Sequence, residues 1–166
     1  MSAPMTSMTP MLLALALLCP LAQAGDVFTR IEPAPARQLW LDSGFATYHF
    51  DRDKDLNGAN GGIGLEYRWR GDLALTVGRF YNSDRQYSSY AGAIWQPFAI
   101  GPVRLGAVIA GFNGYPHMRD GGWFPAVIPV ATIEYQRFGV NFGFVPTYKD
   151  RLYGGLSVQL KFKLME

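Results

Sequence analysis

The sequence predicts an all-β fold: an eight-stranded antiparallel up-and-down transmembrane β-barrel that follows a cleaved signal peptide. Three observations carry this. Beyond residue 38 the apolar side chains recur with period two and never convincingly with 3.6. The apolar runs are near ten residues long, the length of a tilted barrel strand. The connections alternate between short turns and longer polar or Gly-rich loops. A strand sends successive side chains to opposite faces, so each run has one apolar and one polar or small face.

The chain begins with an address. Met11–Cys19 is an unbroken apolar stretch of the length of a signal-peptide core, and Ala22-Gln23-Ala24 supplies a small-x-small cleavage site. Residues 1–24 are therefore expected to be removed, although Met1–Pro10 carries no Lys or Arg. Nine apolar residues cannot cross a hydrocarbon core, which takes about 20 in a helix. All 28 charged residues (15 basic, 13 acidic) lie after Ala24, and the one cysteine leaves with the signal. A disulfide framework is thereby excluded. With 49% hydrophobic residues, 14% aromatic and 17% charged, the chain is also not disordered. The net charge of +2 is too small to suggest nucleic acid.

Residues 25–38 read as an N-terminal periplasmic segment, and residues 39–166 as the barrel. Its strands are expected near 39–51, 61–70, 72–81, 87–98, 103–114, 124–136, 139–148 and 152–164. In the second, Ile63, Leu65, Tyr67 and Trp69 alternate with Gly62, Gly64, Glu66 and Arg68. In the third, Leu73, Leu75 and Val77 oppose Ala74, Thr76 and Gly78. The last sets Leu156, Val158, Leu160, Phe162 and Leu164 against Ser157, Gln159, Lys161 and Lys163. Turns around Gly71-Asp72, Gly101-Pro102 and Arg137-Phe138 are short; Asp51–Asn60, Asn82–Gln86 and Asn113–Trp123 are longer. Short turns on one rim and long loops on the other describe an outer-membrane barrel, and closure removes the edges that lipid would not tolerate. A soluble lipocalin-like barrel or sandwich would turn the aromatic face inward and leave Glu66, Arg68, Lys161 and Lys163 in water. Export and loop asymmetry favour the membrane form.

Small residues gather on the face opposite the large apolar ones: Gly62, Gly64, Ala74, Gly78, Gly106, Ala110 and Gly143. Either they leave the lumen open to something narrow and long, or they relieve crowding in a tightly curved wall. Prolines fall where a wall strand should not have them. Pro125 and Pro129 share the sixth expected strand and the adjacent seventh carries Pro146. Proline lacks the N–H that a ladder needs, so prolines on neighbouring strands near one rim are expected to open a lateral gap. Such a gap would admit an acyl chain from the bilayer.

These residues resemble the PagP family of outer-membrane lipid A palmitoyltransferases. The likeness runs through Pro125-x-x-x-Pro129-Val-Ala131, Tyr135, Phe142 to Pro146-Thr-Tyr148 and the terminal strand. It is looser through Gly61-Gly62-Ile-Gly64, Phe80-Tyr81-Asn82-Ser83 and Trp95-Gln-Pro97. The resemblance implies a tilted eight-stranded barrel whose lumen measures acyl-chain length. It implies transfer of a palmitoyl chain from a glycerophospholipid to a hydroxyl of lipid A, in the outer membrane, by a monomer without a cofactor. The family's Asp-Ser pair falls on Asn82-Ser83 and its His on His49, while an ungapped match would set Phe45 there. Asp84 lies near but out of register.

Strand direction alone puts His49 and Ser83 on the same rim. Acyl transfer needs a base at the accepting hydroxyl and donors for the developing oxyanion. His49 would be the base, with Ser83 and the Asn82 amide polarising the ester; Ser83 as an acyl-carrying nucleophile is the alternative. His117 is a rival base. Two histidines and no mature cysteine show no metal-ligand spacing, and Asp51, Asp53 and Asp55 lack the closing Glu of a calcium loop. Arg79, Arg85, Arg119, Lys149 and Arg151 sit on the loop rim, where they suit lipid A phosphates. A non-enzymatic structural or adhesive barrel and a lipid A deacylase are the other readings these residues allow.

Overall fold

A computed structural model describes residues 27–149 and 151–166; the expected signal peptide lies outside the described residues. Eight long antiparallel strands close on themselves: β2 (Pro35–His49), β3 (Ala59–Arg70), β4 (Leu73–Tyr81), β5 (Tyr87–Ile100), β6 (Val103–Phe112), β7 (Phe124–Tyr135), β8 (Phe138–Val145) and β9 (Gly155–Met165). Each pairs with its neighbours in sequence, and β9 returns to β2. A three-residue strand unanticipated in the sequence, β1 (Phe28–Arg30), continues the ladder on β5 opposite Phe98–Ile100. The first barrel strand starts at Pro35, four residues before the expected 39.

Two-residue turns join β3 to β4, β5 to β6 and β7 to β8 on one rim, which also carries both ends of the described chain. Gly101 (φ 54°) takes the left-handed conformation that such a turn requires. Four longer connections, over 50–58, 82–86, 113–123 and 146–154, gather on the other rim.

The pattern of exposure is inverted relative to a water-soluble protein. Ile63 is 63% exposed and Leu75 and Val77 are each 54% exposed, whereas Glu66 is 1% and Lys161 3%. Apolar side chains form the outer band and charges the interior, the arrangement that lipid outside a closed barrel demands.

The lower lumen, toward the turn rim, is filled. Arg68 grips Glu134 with two parallel bonds of 2.6 and 2.9 Å and reaches Glu66 at 2.9 Å. Lys161 pairs with Glu66 and lies 3.2 Å from Glu134. The fully buried Trp40 offers its ring face to Lys161, 4.3 Å from the centroid. Above these ions a chain of hydrogen bonds crosses the lumen. Gln96 donates to Thr132 (2.7 Å), Thr132 to Asn141 (2.7 Å), and Asn141 to Gln159 (3.1 Å). The members of this ion cluster and hydrogen-bonded chain hold one another, which offsets the cost of desolvating them, whereas both carboxylate oxygens of the buried Asp42, opposite Lys161 in the ladder, have no partner among the described residues.

The small residues do not simply leave a hollow. A Cβ at Gly78 would stand 2.5 Å from the Tyr90 ring, and one at Gly64 would stand 2.3 Å from its hydroxyl. These glycines make room for Tyr90, which leans across two strands. Of the two sequence readings, relief of crowding is the one that applies at these positions.

Candidate active site

Above the hydrogen-bonded chain the lumen opens into an apolar cavity of about 500 Å³. Its wall is aromatic: Phe45, Phe80, Tyr90, Phe112 and Phe124 line it, with ring centroids 4.9–6.3 Å apart along the series. It ends on Thr76, Ile94 and Val130 and reaches up to His49, Ser83 and Asp84 at the loop rim.

The cavity also has a side. Along its upper course β7 pairs only with β6: Pro125 faces Gly111 and Pro129 faces Ala107. Pairing with β8 begins only at Val130–Gly143 and continues downward. Residues Phe124–Pro129 thus have no ladder on the β8 side, and Pro125–Ile128 and Val145–Pro146 border the cavity there. The wall is unzipped at the height of the prolines. Pro146 lies one residue beyond β8, not within the strand as expected from the sequence, because β8 ends at Val145.

His49 is the last residue of β2. Its Nε2 is 3.2 Å from the Asn57 carbonyl, an acceptor, so Nε2 carries the hydrogen. That bond fixes the tautomer and leaves the lone pair on Nδ1. Nδ1 is buried and has no partner among the described residues. An imidazole so held keeps one ring nitrogen that can accept a proton.

Asn57 also ties down the second element of the site. Its backbone N–H donates to the Ser83 carbonyl at 3.0 Å, and its side-chain amide to the Asn82 carbonyl at 3.2 Å. One residue in the first long loop therefore sets both His49 and the 82–86 turn. Nothing in the sequence pattern marked it, since Asn57 lies in a stretch that reads only as a polar loop.

Asn82 is fully buried and does not border the cavity. Its carboxamide donates to Ser88 Oγ (2.8 Å) and the Gly114 carbonyl (2.7 Å) and accepts from the N–H groups of Asp84 (2.9 Å) and Gln86 (3.0 Å). All its capacity is spent on folding the turn back on itself. A carboxylate could not make the two donations, which accounts for Asn at this position. The turn brings up Asp84 instead, half-buried and in the cavity wall. Burial raises the Asp84 pKa, opposed by the fields of His117 and His49. The Tyr115 phenol nearby is pushed up by burial and by Asp84. His117 itself is exposed and lies outside the cavity lining. Asp55 pairs with Arg85 at 2.9 Å, which accounts for one acid of the calcium-like run.

No protein-family model matches the chain. It is 33% identical over 125 residues, 67% of its own length, to the lipid A acyltransferase PagP of Laribacter hongkongensis (strain HLHK9). The chain is a divergent relative of PagP. It spans 59% of the length of that relative. The solution NMR structure of the de novo designed TMB2.3 has the same barrel-like fold, with a TM-score of 0.54 at 14% identity, covering 80% of this chain and 98% of that one. For this PagP relative the structure brings His49, Ser83, Pro125 and Pro146 to one cavity, adds Asp84, and leaves Asn82 and Pro129 outside its lining.

Proposed function

We propose that the chain is an outer-membrane lipid A acyltransferase that moves a palmitoyl chain from a glycerophospholipid to a hydroxyl of lipid A. The observation that carries this reading is an apolar cavity bordered by the unzipped β7–β8 seam and lined at the loop rim by His49 and Ser83. A surface groove would serve a soluble ester. A lateral opening at the height of a lipid tail serves a substrate that never leaves the bilayer.

The donor's acyl chain slides between Phe124–Pro129 and Phe144–Pro146 into the aromatic cavity, and its ester carbonyl stops below the rim. The lipid A hydroxyl attacks that carbonyl while His49 Nδ1 takes its proton. Ser83 donates a hydrogen bond to the oxyanion, which is the larger part of the stabilisation when such donors are pre-set. As the tetrahedral intermediate collapses, the imidazolium returns the proton to the departing lysophospholipid oxygen. Asp84 holds the imidazolium by charge. His49 uses Nε2 on Asn57, and its Nδ1 makes no bond to Ser83. That geometry argues for direct transfer over an acyl-Ser83 intermediate. Asn82 positions the turn, and the carboxylate of the family's Asp-Ser pair is supplied two residues later. The depth down to Thr76, Ile94 and Val130 sets the length of chain accepted.

Mass spectrometry of lipid A from cells with and without the protein tests this. The expected result is a lipid A species heavier by one palmitoyl group. A lipid A lighter by one acyl chain would instead indicate a deacylase, and an unchanged profile would leave a structural or adhesive barrel.

A further inference from the structure

Two arginines flank the head of the seam. Arg119 lies in the 113–123 loop that leads into β7, and its Nη1 donates to the Trp123 carbonyl at 3.2 Å, immediately before the unzipped segment. Arg151 lies in the 146–154 loop that leaves β8, in a tight turn where its N–H donates to the Tyr148 carbonyl at 3.2 Å and Tyr148 pairs with Leu152. Both arginines border the cavity. Other cations of this rim are engaged by protein groups: Arg85 on Asp55, Arg79 over the Tyr87 ring and Lys54 over the Tyr153 ring, while Arg52 and Lys149, beside the seam, lie against the Tyr148 ring.

Height matters as much as position. Trp123 and Tyr148 are 51% and 50% exposed, and half-exposed aromatic rings at the end of a barrel's apolar band mark the headgroup level of a bilayer. Arg119 and Arg151 are tied by hydrogen bonds to these same two residues. They therefore stand at headgroup level on the two sides of the opening.

We infer that Arg119 and Arg151 form a clamp for the phosphodiester of the acyl donor. The inference rests on the proposed acyl transfer through the seam and adds the part of the donor that is recognised. A glycerophospholipid whose chain enters between β7 and β8 keeps its phosphate outside the wall, at the level of the two guanidinium groups. Guanidinium binds phosphate oxygens through paired, charge-assisted hydrogen bonds that a diacylglycerol cannot offer. The clamp makes phospholipid the donor class and holds the ester at a fixed depth beneath His49.

The test is equilibrium binding of fluorescent short-chain phosphatidylethanolamine, and of diacylglycerol with the same chains, to the detergent-folded full chain. The Arg119→Gln/Arg151→Gln variant is expected to bind the phospholipid about tenfold more weakly or worse, the factor lost with charge-assisted bonds. Its diacylglycerol affinity should be unchanged, and Arg119→Lys/Arg151→Lys should recover part of the loss. Heat-modifiable gel migration checks that the variants fold. Equal phospholipid binding by wild type and the Gln variant would overturn the clamp. So would an equal loss toward diacylglycerol, which would implicate the apolar mouth. A loss confined to lipid A would overturn it too, by assigning the arginines to the acceptor. A wild-type protein that binds phospholipid through these arginines yet transfers nothing would refute the acyl-transfer reading and leave the clamp standing.

Discussion

His49 has two ring nitrogens, and the Asn57 carbonyl occupies one of them. What remains is a single buried lone pair, and on the proposed mechanism it takes the acceptor's proton, so replacing the ring removes that step. General-base catalysis contributes about 10²–10⁴-fold, and His49→Asn is expected to lower transfer by at least the smaller factor while the barrel still folds. On the same mechanism Ser83→Ala removes one oxyanion donor, an effect of about 10²–10³-fold in enzymes of known mechanism. Radiolabelled palmitate transfer to lipid A in detergent measures both, and a wild-type rate in either variant would remove that residue from the chemistry. Asp84 makes a separate prediction about stability. Its pKa is raised in the folded state, mainly by burial, so the folded protein binds that proton more tightly than the unfolded one. Stability is then greatest with Asp84 protonated and falls as the pH rises from the unfolded value through the folded one. Asp84→Asn should therefore be more stable than wild type near neutrality, and the gain should vanish below about pH 3. Urea midpoints at both pH values check it. The residue scale is also where the sequence misled. From the sequence the Asn82 amide is expected to polarise the ester, whereas its carboxamide is spent on four hydrogen bonds that build the turn bearing Asp84.

At the scale of elements the sequence was easier to read. Alternation such as Ile63-Gly64-Leu65-Glu66 survives because one side of the strand meets lipid and the other the lumen, so each residue's class reports its side. Turn residues then bounded the strands to within a few positions. Not legible were β1, three residues long with no alternation to detect, and the meaning of the glycines. Whether Gly78 opens space or receives Tyr90 depends on a neighbour twelve residues away, and that is a matter of register. The prolines fell between these cases. Their effect on the ladder was predictable from the missing N–H; the extent of the unzipping, from Phe124 to Pro129, required coordinates. The seam carries its own prediction. Cysteines at Ile128 and Val145, one on each lip, joined by a short bismaleimide should bar the opening. Transfer from phospholipid in vesicles should then fall about tenfold or more, as expected when a substrate's route into the site is lost. The two single-cysteine proteins treated alike should keep their activity, and transfer undiminished by the cross-link would mean that lipid reaches the cavity from elsewhere.

The barrel divides at the level of Thr132 and Asn141 into a filled polar half and a hollow apolar half. Salt bridges buried in the lower lumen hold one another: removing Glu66 would leave Lys161 without its closest partner and Arg68 with Glu134 as its one remaining carboxylate. Breaking a buried pair from one side costs about 3–5 kcal/mol, so Glu66→Ala should lower the unfolding midpoint sharply. The cavity above would be unaffected, and the chain length transferred should stay the same. The floor of the cavity behaves in the opposite way. Ile94 packs with Ala74 and Val130, against Val108, at the bottom of the apolar half, directly over the Gln96–Thr132 bond. Truncating it to Ala costs about 2–5 kcal/mol of packing, yet the polar network beneath is satisfied without it and need not collapse upward. The space vacated joins the cavity and lengthens it. With a mixture of donors differing only in acyl length, Ile94→Ala should shift the product distribution toward longer chains, whereas Glu66→Ala should not, although both lower stability. An unchanged distribution in Ile94→Ala would mean that depth is set by where the seam stops the headgroup and not by the floor, which would transfer the control of chain length from the lumen to the rim.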